Sequence, residues 1–227
     1  MDLRRQYEEI RTEMDEAIQS VLDSSAFVGG EPVRVFEEAF ASYVEAEHVV
    51  GLANGTDAIE IGLEAMGLPA GGEVVVPANS FVATSEAVSR SGLRVVFADV
   101  DPGTYTVTAD TLRPHLTERT VAVVAVHLYG QPAPLDEIER LCTSRGIVVV
   151  EDAAQAHGAR LDGRRVGALG RFGTFSFYPG KNLGAYGDAG ALATNDAALA
   201  RRARMIANHG RVAKYDHEFE GRNSRLD

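Results

Sequence analysis

The sequence predicts an α/β fold built on a mainly parallel, doubly wound sheet. Short runs at 73–76, 94–98, 120–126, 147–150 and 172–178 are apolar on nearly every residue, as in strands buried on both faces. Helix-length amphipathic segments separate most of them, and strands running in one direction need such crossovers. A further run at 191–194 follows the last of these with no helix between, which predicts one antiparallel member.

Taken in order, Leu3, Tyr7, Ile10, Met14, Ala17, Ile18 and Val21 recur at helical spacing, so one amphipathic helix is expected over 2–23, its apolar face on the core. Residues 24–30 break it. A second core-packed helix is expected over 33–46, with Pro32 near its start and Val35, Phe36, Ala39, Phe40 and Tyr43 as its face. A strand at 49–52 leads through Asn54-Gly55-Thr56-Asp57 into helical periodicity at 58–66. The strand at 73–76 precedes a turn at 77–80 and a helix at 81–91, in which Phe81 reads as a core aromatic. Asp99 and Asp101 flank a turn at Pro102-Gly103. A helix at 135–145 carries Cys142. Residues 158–171 form a Gly- and Arg-rich connection, 196–208 a helix, and 208–225 a polar, aperiodic loop.

At 227 residues the chain can bury a substantial core, and 45% hydrophobic with 24% charged residues is ordinary for a globular protein. A formal net charge of −11 argues against a nucleic-acid partner, which needs a basic face. Apolar runs are too short to span a bilayer and residues 1–6 are no signal peptide, so no membrane partner is expected and cytoplasm is the expected compartment. The single cysteine excludes an internal disulfide and a multi-cysteine metal site; no metal is expected.

Two stretches carry the chemistry. The run at 147–150 ends in Glu151-Asp152, which puts a carboxylate at the rim where α/β sheets bind ligands. The run at 172–178 breaks at Pro179-Gly180 and delivers Lys181. A strand-end acid with a loop lysine suits pyridoxal phosphate (PLP), which takes an amine as covalent tether and an acid at its ring nitrogen. A surface lysine and an acidic helix cap fit the same spacing. Gly55 before a helix makes a turn that can cradle a phosphate, or an ordinary cap. His127, at a strand end, reads as a satisfied structural residue. Arg201, Arg202, Arg204, Arg211, Lys214, Arg222 and Arg225 concentrate late in the chain. They fit either solvated surface or a positive field for an anionic substrate.

Together Asn54-Gly55-Thr56-Asp57-Ala58, Pro77-Ala78-Asn79-Ser80-Phe81, His127-Leu128-Tyr129-Gly130, Glu151-Asp152-Ala153-Ala154-Gln155, Lys181-Asn182-Leu183-Gly184 and Asn223-Ser224-Arg225-Leu226-Asp227 resemble the DegT/DnrJ/EryC1/StrS family of PLP-dependent sugar aminotransferases. The resemblance implies a three-layer α/β/α sandwich of PLP-dependent transferase fold type I. Lys181 would then be the PLP tether and proton shuttle, and Asp152 the partner of the ring nitrogen. Gln155 would meet the 3-hydroxyl oxygen and Phe81 would stack on the ring. Gly55, Thr56, Asp57 and Ser176 would hold the phosphate, Asp57 capping its helix by its carboxylate. Asn223 would reach the neighbouring subunit's PLP in a homodimer with a shared active site.

The implied reaction moves an amino group from glutamate or glutamine to a nucleotide-linked keto sugar. The loop 181–190 looks closer to the branch that aminates C3 of dTDP-3-keto-6-deoxyhexoses. The implied organisation is an N-terminal helical segment at 1–30, a PLP-binding large domain at 31–210 and a partner-reaching loop at 211–227. Family chains continue into a small C-terminal domain, so the resemblance implies that this chain is the large domain without it. Rival readings are a sugar dehydratase of the same family, in which histidine replaces the lysine, and a silent or regulatory homologue. A dinucleotide-binding oxidoreductase is set aside because no Gly-x-Gly-x-x-Gly follows the first strand.

Overall fold

The computed structural model describes residues 2–227. In chain order the elements are α1 (Leu3–Glu9), α2 (Arg11–Ser24), α3 (Gly30–Val44), β1 (His48–Leu52), α4 (Gly55–Ala65), β2 (Glu73–Pro77), α5 (Val82–Arg90), β3 (Arg94–Ala98), α6 (Ala109–Leu112), β4 (Thr120–Val126), α7 (Leu135–Thr143) and β5 (Val148–Asp152). Then come β6 (Arg160–Leu161), β7 (Arg164–Arg165), β8 (Gly173–Ser176), β9 (Gly190–Thr194), α8 (Ala197–Ile206), β10 (Arg211–Ala213) and β11 (Asp216–His217).

Seven strands form one sheet in the order β1-β9-β8-β5-β4-β2-β3. β3, β2, β4, β5 and β8 run parallel, whereas β9 is antiparallel to both β8 and β1. The antiparallel strand is therefore the one expected beyond Lys181. Side-chain alternation sends Val74, Val76, Val124 and Val126 to one face, against Ile59, Leu63, Val88 and Ile206 of α4, α5 and α8. Val75, Val123 and Val149 face the other way, onto Leu112, Leu135, Ile138 and Cys142 of α6 and α7. Phe40 and Val44 of α3 close the same side with Phe175 and Ala191. Helices on both faces of a buried sheet make the expected α/β/α sandwich.

The N-terminus departs from expectation. Ile10 leaves helical dihedrals (φ −116°, ψ 19°), its N–H closing α1 onto Tyr7 O and its carbonyl opening α2 by accepting from Met14. Neither helix buries a residue, so their apolar face does not pack on the core. A helical period identifies a face but not what covers it. The connection at 158–171 contains the β6–β7 hairpin. The loop at 208–225 contains the β10–β11 hairpin and is pinned by bridges Asn208–Asn223 and Leu52–Arg225. Both pairings are too short and polar to show a periodic pattern. Only 173–176 of the apolar run at 172–178 joins the sheet.

Candidate active site

The parallel strands end on one edge, and a cavity of about 720 Å³ opens there. The turn after β1 contributes Asn54, Gly55, Thr56 and Asp57, and the turn after β2 contributes Ser80 and Phe81. Asp152 comes from the end of β5, Gln155 from the following turn, Ser176 from the end of β8, and Lys181 from the loop beyond. Segments far apart in sequence thus meet because strand ends share an edge.

One wall is the start of α4. Asn54 caps it, its side-chain oxygen accepting from Asp57 N–H at 2.8 Å. A Cβ on Gly55 would stand 2.7 Å from Ser176 Cβ, and one on Gly190 would stand 2.3 Å from the Asn54 carbonyl carbon. These glycines let β8 and β9 press against the helix start. As first-turn groups, the N–H donors of Gly55 and Thr56 have no intrahelical acceptor, and they point where the helix dipole favours an anion. Asp57 does not fit its expected part. Its N–H is held by the Asn54 cap, and its carboxylate accepts from Ser224 Oγ at 2.7 Å instead of capping the helix.

Opposite this wall, Asp152 is buried (6% exposed), Oδ1 accepting from Ala154 N–H at 3.1 Å and Oδ2 from the Thr84 hydroxyl at 2.8 Å. Gln155 Oε1 accepts from Tyr129 N–H at 2.8 Å. That bond fixes the amide orientation and leaves the Nε2 donors for the cavity. Lys181 sits in a turn closed by its own N–H on the Tyr178 carbonyl (2.8 Å), and among the described residues it makes no ion pair. Ser176 Oγ accepts a long bond (3.3 Å) from Tyr178 N–H, so the hydroxyl keeps its donor free. Phe81 is 70% exposed on the cavity wall and is not a core residue; it precedes α5 as its N-cap, outside the helix expected to bury it.

Behind the site, His127 and Glu151 form a buried pair, with Nε2 and Oε2 3.0 Å apart. Ala133 N–H donates to His127 Nδ1 at 3.0 Å, so the ring proton of the neutral imidazole lies on Nε2, facing the carboxylate. Glu151 also accepts from Gly167, Leu169 and Gly170 N–H at 2.7 to 2.8 Å. The structural reading of His127 therefore holds. His157 lies among Phe40, Phe175 and Phe177 with neither ring nitrogen hydrogen-bonded. Burial, then the nearby Lys181 charge, push its imidazole down to about 4; the Ser176 carbonyl offsets this without reaching hydrogen-bond geometry. Burial pushes the Cys142 thiol up to about 11.

The late basic residues do not line the cavity. Arg204 holds Glu37 through two 2.9 Å bonds, and Arg222 pairs with Glu60 and Glu64. The cavity's basic residues are Arg90 and Lys181. Asn223 is exposed and outside the cavity of its own chain, while Ser224 beside it is buried, its carbonyl accepting from Ala53 N–H at 3.0 Å. Sequence reading missed Ser80, Thr84, Glu86, Arg90, Tyr178 and Asp188. Thr84 carries a signal only as a helical residue one turn beyond the Ser80 turn. Among the described residues no group of three or more His, Cys, Asp or Glu is placed to hold a metal ion, and no helix is long and apolar enough to cross a membrane.

A strand-end carboxylate and a loop lysine share one cavity at the edge of this mixed sheet, and the fold is that of the PLP-dependent transferases of fold type I. The S. venezuelae DesV structure, solved in complex with a ketimine intermediate, superposes with a TM-score of 0.97 at 46% identity, covering 99% of this chain and 61% of that one. The family model for the DegT/DnrJ/EryC1/StrS aminotransferases matches residues 8–227, and the chain belongs to that family. It is 47% identical to a dTDP-3-amino-3,4,6-trideoxy-alpha-D-glucose transaminase of Streptomyces venezuelae, over 100% of this chain and 60% of the relative. It also matches the E. coli GDP-4-keto-6-deoxy-D-mannose-3-dehydratase with bound hydrated PLP (TM-score 0.87, 29% identity, 92% of this chain and 60% of that one). The chain thus spans about 60% of the length of these relatives.

Proposed function

We propose that this chain is the cofactor-binding part of a PLP-dependent aminotransferase acting on a nucleotide-linked keto sugar. The observation that carries the reading is the convergence of Lys181, Asp152, Gln155, Ser176 and the free N–H groups of α4 on one cavity. The residues present fit the cofactor. Gly55 and Thr56 N–H, with the Thr56 and Ser176 hydroxyls, are donors for its phosphate. Asp152 is an acceptor for the proton on its ring nitrogen, Gln155 Nε2 a donor for its 3-hydroxyl oxygen, and Phe81 a face for its ring. When bound, PLP supplies the electron sink that stabilises negative charge at the substrate carbon next to nitrogen.

The protein's own part is binding, orientation and proton movement. Lys181 Nζ would tether the cofactor, and it is the amine placed to take up and return a proton at the substrate. Asp152, fixed by Thr84 and Ala154, holds the ring nitrogen's proton. With one lysine serving both substrates, glutamate or glutamine must react and leave before the keto sugar enters, giving ping-pong kinetics. The sugar is read as a dTDP-3-keto-6-deoxyhexose aminated at C3, which agrees with the name of the 47% identical relative. In this reading residues 1–30 are a helical segment and 31–210 the cofactor unit. Residues 211–227 bring Asn223 to the cofactor of a second copy, in the cytoplasm. Lys181 stands against a dehydratase that uses histidine there.

The test is an absorbance spectrum with added PLP, borohydride reduction with peptide mapping, and glutamate on an unreduced sample. A reducible adduct on Lys181, bleached by glutamate, is expected. A PLP adduct that maps elsewhere, or that survives Lys181→Ala, would sink the assignment.

A further inference from the structure

Thr84 and Ser80 make a directed hydrogen-bond chain to Asp152 that the reaction as described does not use. Thr84 Oγ1 lies 2.8 Å from Asp152 Oδ2 and 2.8 Å from Ser80 Oγ. An ionised carboxylate only accepts, so the single Thr84 proton points at Asp152. Thr84 must then accept from Ser80, which settles the direction of a contact either hydroxyl could have donated. Thr84 is buried (1% exposed), while Ser80 reaches the cavity wall. The chain therefore runs from the cavity, through one helical turn, to the buried carboxylate.

Local geometry makes this arrangement specific. Thr84 sits in the first turn of α5, its N–H on the Phe81 carbonyl at 3.2 Å, so the helix start fixes where the hydroxyl hangs. Asp152 comes from β5, 68 residues away in sequence. Its other oxygen is bound by Ala154 N–H in its own turn, so Thr84 is the tie to a second element. A hydrogen bond to a charged, buried group is worth more than one between neutral groups, and successive bonds polarise one another.

We propose that Thr84, relayed by Ser80, is a positioning residue that holds the Asp152 carboxylate aimed at the cofactor's ring nitrogen. This rests on the cofactor reading above. It differs from a packing role in one respect: its effect must pass through the ring nitrogen. A Thr84 that merely tied α5 to β5 would affect any ligand of the same shape.

The test compares dissociation constants for PLP and for its 1-deaza analogue, in which carbon replaces the ring nitrogen, with circular dichroism to check folding. Thr84→Val should weaken PLP roughly tenfold, the value of one bond to a charged group, while leaving the deaza analogue within about twofold of wild type. Thr84→Ser, which keeps the hydroxyl, should restore PLP binding. Ser80→Ala, which leaves the Thr84–Asp152 bond and the buried packing in place, should show the same selectivity at smaller amplitude. Equal losses for the two ligands, or none, overturn the relay. If Thr84→Val does not fold, Ser80→Ala decides alone, and a Ser80→Ala protein without ligand selectivity overturns the proposal. A wild type that fails to bind PLP overturns the cofactor reading itself, and this inference with it.

Discussion

Replacing Glu151 by glutamine tests whether the buried carboxylate behind the site organises the loop that leads into β8. Oε1 accepts from Leu169 and Gly170 N–H, and Oε2 accepts from Gly167 N–H and from His127 Nε2. A glutamine of the same shape has one oxygen and one NH2, so one pair of donors must face another donor. If the NH2 replaces Oε1, the Leu169 and Gly170 N–H groups are orphaned. If it replaces Oε2, Gly167 is orphaned and His127 must move its proton to Nδ1. That move in turn orphans the Ala133 N–H, now bound to Nδ1. Every orientation leaves two of these buried or half-buried donors unsatisfied.

Each orphaned buried donor costs about 1–3 kcal/mol, toward the upper end when the lost acceptor was a charged carboxylate. Glu151→Gln should therefore destabilise the protein by about 3–5 kcal/mol, a large share of the roughly 5–15 kcal/mol typical of folded proteins. With m-values of about 1–3 kcal/mol/M, the urea midpoint should fall by at least about 1 M. Amide hydrogen exchange should accelerate at Gly167, Leu169 and Gly170 before it does in β4. A midpoint shift below about 0.3 M with unchanged exchange at those amides would refute the reasoning, since uncompensated orphans cannot cost so little.

Gly55→Ala places a Cβ 2.7 Å from Ser176 Cβ and 3.2 Å from its Cα, so the start of α4 or the end of β8 must retreat. Overpacking of this kind costs about 1–3 kcal/mol. Because the clash is at the proposed phosphate cradle, PLP affinity should fall with the melting temperature; unchanged affinity would remove Gly55 from the site. For His157, the native imidazole is held neutral down to about 4, whereas an unfolded histidine takes a proton near 6.5. The unfolded state thus binds more protons between these values, so stability present above about 6.5 is lost as pH falls toward about 4. His157→Phe, among three phenylalanines, should flatten urea midpoints over that window; an unchanged pH slope would contradict the assigned cause.

The strands and their order of appearance were legible because burial on both faces writes continuous apolar runs, as at 120–126 and 147–150. The antiparallel β9 was legible from the missing helix between two such runs. What the pattern could not carry was partnership. The N-terminal period at Leu3, Tyr7, Ile10 and Met14 was read as core, yet α1 and α2 bury nothing. The resemblance implied that the Asp57 carboxylate caps its helix, but Asn54 takes that place and Ser224, distant in sequence, takes the carboxylate. Thr84 carried no signal beyond its place one turn past the Ser80 turn, since its importance comes from Asp152 on another element.

The arginines make the same point about charge. Arg201 to Arg225 cluster in sequence, a pattern that fits either solvated surface or a positive field for an anionic ligand. In space Arg204 neutralises Glu37 on α3 and Arg222 neutralises Glu60 and Glu64 on α4. The cavity itself is lined by the acids Asp57, Glu86, Asp152 and Asp188, with Arg90 already paired to Glu60. Full charges are therefore a poor source of attraction for a phosphate here. The free N–H groups of Gly55 and Thr56, with the dipole of α4 behind them, are the donors left for the proposed phosphate site, and they act only within about one helical turn. That short range explains why Gly190 and Gly55 must be bare: a methyl on either would push β9 or β8 away and open the cradle beyond the reach of those donors.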